Sequence, residues 1–241
     1  MAGDRGTMRA MKTIGLIGGL SWESSVTYYR VINEHVGRRL GGLHSARCLL
    51  WSFDFDAIQS LQRDGRWDEA TRLMIGAAGA LQRGGADFLV ICANTMHRMA
   101  DEVQAAAGLP LLHIADATAG RIKAAGLQHV GLLGTRFTME QDFYRGRLIA
   151  RHGLDVSVPA EADRRFVHDV IYGELCRGVV SAAARARFRV ILGDLAAAGC
   201  GGTILGCTEL GLLITPDDSP VPLFDTAVIH AEAAAELSLE P

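Results

Sequence analysis

The pentapeptide Ile14–Gly15–Leu16–Ile17–Gly18 returns as Val130–Gly131–Leu132–Leu133–Gly134. Each copy is followed at nearly the same distance by a segment ending in threonine: 80 residues separate Gly15 from Thr95 of Ala93–Asn94–Thr95, and 77 separate Gly131 from Thr208 of Gly206–Cys207–Thr208. A third pair, Pro110–Asp116 and Pro222–Asp225, leads from a proline into a short strand and an alanine-rich helix. Three matches in one order describe two copies of one unit. Between them, short apolar runs (13–17, 46–52, 88–92, 109–114, 129–133, 203–205, 221–224) alternate with helical patterns (22–40, 67–84, 140–152, 162–177, 182–199), as in βαβ units around a parallel sheet. The predicted fold is α/β, with two pseudo-symmetric Rossmann-like lobes built on parallel sheets. Residues 11–115 form lobe 1, completed by the C-terminal segment 222–241, and residues 116–221 form lobe 2. Residues 1–10, ahead of a second methionine at Met11, read as an N-terminal extension.

Ligands of open α/β sheets bind beyond the carboxyl ends of the strands, so the twin segments at Ala93 and Cys207 are expected to face one cleft between the lobes. A net charge of −3 gives no electrostatic reason to expect nucleic acid or an anionic membrane, which leaves a small molecule as the ligand. No apolar run reaches the roughly 18 residues that span a bilayer, and the start of the chain lacks the apolar core of a signal peptide, so a cytoplasmic location is expected. Five cysteines, an odd number without a CxxC pair, suggest neither a disulfide framework nor a metal site and read as free thiols.

The loop Gly18–Ser25 follows a strand and opens a helix, but it lacks the GxGxxG spacing and the ribose-binding acid of a dinucleotide site. Ser21 and its neighbouring amides suit a carboxylate, the alternative being a tight turn with Ser21 or Ser24 as N-cap. Asn94 and Thr95, polar residues ending an apolar strand, invite a ligand in the same way. Strand alternation places Cys92 on the face opposite Ala93, so Cys92 does not stand in for a thiol there. His97 is open between a helix-surface or capping role and a catalytic one. Thr135 is a hydroxyl donor in the weaker second-lobe loop, where capping by Thr138 explains part of the pattern equally well. Cys207 stands where a strand ends and a helix should begin, a place where amide dipoles favour the thiolate and make a competent base. Its twin position is Ala93.

These segments together resemble the aspartate/glutamate racemase family, from Met11 to the C-terminus. The residues that carry the likeness are Lys12–Ser25, Gly41–Ala46, Cys92–His97, Leu133–Leu148 and Gly206–Leu213, and they are most similar to the broad-specificity bacterial branch. The resemblance implies catalysis without pyridoxal phosphate or metal, a homodimer, and two thiols flanking the substrate's α-carbon. Cys207 matches the second thiol, and the first falls on Ala93, which transfers no proton. Gln62, Asn94 and Thr95 match substrate-contacting positions, with Thr208 beside the thiol and Arg47 a candidate cation for a side-chain carboxylate. The expected function is an amino-acid racemase acting on aspartate, glutamate or a similar amino acid, impaired or one-directional because of Ala93. The alternatives are a one-thiol decarboxylase or lyase of the same superfamily, and a non-catalytic binder of acidic amino acids.

Overall fold

The computed structural model describes residues 11–241, and the extension expected at residues 1–10 lies outside the described residues. The first sheet contains β1 (Ile14–Gly18), β2 (Cys48–Ser52), β3 (Phe88–Ile91) and β4 (Leu111–Leu112), in spatial order β2-β1-β3-β4. The second contains β5 (His129–Gly134), β6 (Asp155–Ser157), β7 (Thr203–Gly206) and β8 (Leu223–Asp225), in the matching order β6-β5-β7-β8. Every pairing is parallel. The repeat is therefore a repeat of topology as well as of sequence.

The glycine closing each pentapeptide is fixed by the helix that follows. A Cβ on Gly18 would lie 2.5 Å from Ser25 Oγ in α1 (Trp22–Leu40). A Cβ on Gly134 would lie 2.7 Å from the Gly206 carbonyl oxygen and 3.2 Å from Thr138 Cβ in α6 (Arg136–Glu140). Only a bare backbone lets these first turns rest on the strand ends.

Both faces of each sheet are covered, as parallel strands require. On one face of the first sheet Ile17, Leu89 and Ile91 pack with α2 (Phe55–Arg63), α3 (Trp67–Arg83) and α4 (Ala100–Ala107); on the other, Leu16, Val90 and Cys92 pack with α1. Ala93 joins the first cluster and Cys92 the second, the separation that strand alternation predicts. The second sheet is enclosed by α7 (Arg145–His152), α8 (Glu161–Gly173), α9 (Ala182–Ala197) and the short α10 (Leu210–Leu213).

Two helices cross between the lobes. α5 (Ile114–Ala124) follows β4 of the first sheet, yet Ile114, Ala119 and Ile122 are buried in the core of the second lobe. α11 (Thr226–Leu239) follows β8 of the second sheet, yet Ala227, Ala231, Ala234 and Ala235 pack on Tyr28 and Ile32 of the first. The expected assignment of all of 222–241 to lobe 1 is thus divided: β8 hydrogen bonds to β7 in the second sheet, and only α11 completes the first lobe. The expected helix 140–152 is two helices, since Gln141 is extended and α7 begins at Arg145. Among the described residues no helix is long and apolar enough to cross a membrane.

Candidate active site

The carboxyl ends of three strands deliver the polar residues to one place. β3 runs into Ala93, Asn94 and Thr95, β5 into Thr135, and β7 into Cys207, Thr208 and Glu209, all lining an inner cavity of about 30 Å³ with Gln62, Met96 and Tyr172. An outer vestibule of about 670 Å³ adjoins it, shares Phe55, Gln62, Tyr172 and Cys176 with it, and adds Arg63, Arg136, Arg177 and His168. The structure brings together Gln62, Ala93, Asn94, Thr95, Thr135, Cys207 and Thr208. Ser21 is not in the cavity lining and reaches the cluster through Glu209 and Ser24.

Glu209 is 4% exposed and organises the cysteine side. Its Oε2 accepts from Cys207 Sγ at 2.9 Å and from Thr208 Oγ1 at 2.8 Å. Its Oε1 accepts from Ser21 Oγ and, at 2.9 Å, from Ser24 Oγ. Ser24 has one hydroxyl proton and also lies 2.6 Å from Thr208 Oγ1, so it serves one acceptor at a time. Ser21, expected to hold a ligand carboxylate, is committed to this acid. The predicted lowering of the Cys207 pKa is overturned: burial pushes the thiol well above its ordinary value, and the Glu209 charge pushes it further the same way. The dipole argument fails because no helix starts at Cys207. α10 begins three residues later and is four residues long.

Asn94 has a fixed orientation. Thr226 Oγ1 donates its only proton to the Leu205 carbonyl at 2.7 Å and so must accept from Asn94, whose Nδ2 lies 3.0 Å away. That assigns the other amide atom as Oδ1, a buried acceptor without a partner on the residue lining the cavity. A buried acceptor left unsatisfied costs about 1–3 kcal/mol, a cost that a donor on a ligand removes. Thr95 Oγ1 and Thr135 Oγ1 lie 3.0 Å apart across the lobes. Gln62 gives Nε2 to Met96 Sδ at 3.0 Å and receives Tyr172 Oη at 2.9 Å.

His97 is neither a surface cap nor in the cavity lining. It is 2% exposed, accepts from the Ile114 amide at Nε2 (3.2 Å), and therefore donates from Nδ1 to the Ala93 carbonyl at 2.8 Å. It pins the cavity wall from behind. Its ring centroid lies 4.6 Å from that of His113 and 5.6 Å from that of His230, and His230 Nδ1 accepts from Tyr28 Oη at 2.8 Å while Nε2 donates to the Leu112 carbonyl at 2.9 Å. Burial pushes all three imidazoles down, His113 to about 3 and His230 to about 4. Thr138 does not cap α6; Thr135 does, accepting from the Thr138 amide at 3.3 Å. Arg47 precedes β2 at the amino end of the first sheet, with its guanidinium on the Met11 carbonyl, so the cation expected near the ligand is at the opposite end.

Sequence reasoning missed Glu209 and Tyr172, and offered Ser24 only as an alternative N-cap. An acid two residues after the thiol was the available signal for Glu209. Tyr172 had none, because its partner lies 110 positions away.

Residues 17–234 match the Asp/Glu/Hydantoin racemase family. A crystal structure from Yersinia pestis, provisionally described as an Asp/Glu racemase, is 53% identical, covers 95% of this chain and 100% of its own, and superposes with a TM-score of 0.89. An aspartate racemase homologue from Pyrococcus horikoshii OT3 is 35% identical over 95% of this chain and 100% of its own, with a TM-score of 0.81. The broad specificity amino-acid racemase RacX of Bacillus subtilis (strain 168) is 32% identical over 89 residues, a match spanning 37% of this chain and 38% of that relative.

Proposed function

Because the chain belongs to the Asp/Glu/Hydantoin racemase family, we propose that it is a cofactor-independent amino-acid racemase, acting on aspartate, glutamate or a similar amino acid chiefly at one face of the α-carbon. The observation that carries this reading is the 2.9 Å bond from Cys207 Sγ to Glu209 Oε2, in a cavity where the twin position in the other lobe is the methyl of Ala93.

The resting thiol is neutral, so a base must take its proton before it can act. Glu209 is placed to do so: the Sγ proton passes to Oε2, and the thiolate then removes the α-proton as the Cα–H electron pair moves into the substrate carboxylate. The charge that develops there needs donors, and Thr95 and Thr135, whose mutual bond uses one of their two hydroxyl protons, line the same cavity, whereas Thr208 gives its proton to Glu209. One well-placed donor of this kind is worth about 3 kcal/mol of barrier. The orphaned Asn94 Oδ1 suits the substrate ammonium. Returning the proton from Cys207 restores the starting configuration. Inversion requires a proton delivered to the face beside Ala93, which water can supply and a methyl cannot.

Ala93 also favours a second reading, a lyase that needs one protonation of a carbanion left by CO₂ loss. The hydroxyls of Thr95 and Thr135 count against it, since a departing carboxylate is expelled more readily from apolar surroundings. One experiment separates the readings. L- and D-aspartate and glutamate are incubated in D₂O with the protein and with Cys207→Ser, following α-deuteration by NMR and configuration by chiral chromatography. Deuteration that outruns inversion supports the proposal; CO₂ release from a substituted malonate without amino-acid exchange would move the assignment to the lyase, and tight amino-acid binding without exchange would move it to a binder. Activity undiminished in Cys207→Ser would remove the thiol from the mechanism.

A further inference from the structure

Behind the wall formed by Ala93 lies another cavity, of about 450 Å³, lined by His97, His113, Asp101, Asp142, Arg147 and Arg151 among others. That volume falls in the range of small-molecule sites, about 300–1,000 Å³. Both lobes build it: α4 carries Asp101, while Arg147 and Arg151 stand one turn apart on the same side of α7. Its polar groups are not all spent on one another. His113 is 5% exposed, and burial keeps its imidazole neutral. Its Nδ1 accepts from the Ala115 amide at 3.1 Å, so its proton is on Nε2. That N–H, on a ring lining the cavity, has no acceptor among the described residues. An unmet buried donor costs about 1–3 kcal/mol, which an acceptor on a ligand removes. Arg147 is held by Asp116, Nε to Oδ1 at 2.7 Å and Nη2 to Oδ2 at 2.6 Å, and Arg98 is turned to Gln141 and the Trp67 ring. Arg151, Asp101 and Asp142 form no ion pair among the described residues.

We propose that this rear cavity is a second ligand site, for a zwitterionic α-amino acid whose carboxylate is received by His113 and Arg151 and whose ammonium is received by Asp142 and Asp101. A plain anion leaves the two carboxylates uncompensated. A plain amine leaves the buried His113 donor unmet and sets a like charge beside Arg151. A molecule carrying both charges answers all four groups. The inference goes beyond the racemase reading, because this site holds none of the residues around Cys207 and needs no proton transfer. The two cavities nevertheless share a wall. The His113 ring lies 4.6 Å from that of His97, whose Nδ1 donates to the Ala93 carbonyl at 2.8 Å, so a ligand at the rear bears on the backbone that lines the front.

NMR of the imidazole nitrogens in the full chain tests this, with glycine as the probe and acetate and methylamine as its two halves. Glycine at millimolar concentration should move the His113 Nε2 signal saturably. Acetate and methylamine should each bind at least about tenfold more weakly, the loss of one charge-assisted contact. Arg151→Glu and Asp142→Lys alter exposed side chains, and each should weaken glycine binding by about tenfold or more for the same reason. Circular dichroism melts confirm that both variants are folded. The readout needs no turnover, so its failure leaves the racemase assignment standing. A His113 signal that glycine does not move would overturn the proposal, as would acetate binding as tightly as glycine. A glycine-induced shift that survives both Arg151→Glu and Asp142→Lys would mean that the effect is transmitted from the front cavity, and would overturn it equally.

Discussion

Tyr172 donates its hydroxyl proton to Gln62 Oε1 at 2.9 Å, tying the second lobe to the first where the inner cavity meets the vestibule. The inner cavity below this bond has only about 30 Å³, against about 670 Å³ in the vestibule outside it, so entry of an amino acid is expected to part the lobes and break the bond. The bond is a clasp on the site.

Tyr172→Phe should therefore loosen the closed arrangement. A net hydrogen bond is worth about 1 kcal/mol, so alkylation of Cys207 by iodoacetamide should rise by about fivefold and stability should fall by a similar free energy. Mass spectrometry of the Cys207 peptide reads the rate. An unchanged rate would place the opening elsewhere.

Ala93→Cys should return a proton carrier to the first-lobe wall. The backbone there is already pinned by His97, so the new thiol would be held in place. Inversion in D₂O should rise toward the rate of α-deuteration, a gain of about 10²-fold within the usual range for a positioned acid or base. Continued excess of exchange over inversion in this variant would show that Ala93 is not the limiting wall.

Glu209→Gln keeps the shape of the acceptor and removes its charge. Glu209 raises the Cys207 pKa, so the variant thiol should ionise at lower pH than the parent's. Catalysed α-proton exchange should nonetheless fall by about 10²–10³-fold, because the thiol loses the group that takes its proton. A thiolate absorbance titration and the exchange rate give the two readouts, and a faster exchange in Glu209→Gln would mean that the carboxylate hinders rather than assists.

The histidine cluster sets an acid limit on stability. His97, His113 and His230 are neutral when folded and have lowered pKa values, so the unfolded chain binds more protons than the folded one below the ordinary histidine value. Their contribution is complete above about pH 6.5 and is lost as pH falls, through about 4 for His230 and about 3 for His113. For His113 and His230 the loss is on the order of a few kcal/mol apiece. Urea midpoints measured between pH 7 and pH 4.5 should fall steadily, and His230→Gln, which can still donate to Leu112 and accept from Tyr28, should make that fall shallower. An identical slope in the variant would assign the acid sensitivity to other groups.

Topology was legible because it is written locally and twice. The glycine that ends each pentapeptide, the alternation that separates Cys92 from Ala93, and the polar ends of β3 and β7 all follow from neighbours in the chain. The Cys207 environment was not. Its pKa depends on how deeply Gly206–Leu210 is buried and on Glu209, whose four donors come from both lobes. The Tyr172–Gln62 clasp and the His97 prop join positions far apart in sequence, and no spacing rule links them. The exchange of α5 and α11 was legible in outline, since the boundaries at 116 and 222 already assign most of α5 to lobe 2 and α11 to lobe 1; what they misplace is β8, which pairs with β7 in the second sheet.

That exchange makes neither lobe a separable module. A fragment ending at His113 would keep β1 to β4 and lose α11, leaving Tyr28 and Ile32 without the alanines that cover them. The remainder would keep α5 but leave the alanine face of α11 bare. Expressed apart, the halves should be poorly soluble; expressed together, they should reassemble. A single ancestral unit of this kind, before duplication, would have been at home as a swapped homodimer, handing its last helix to a twin.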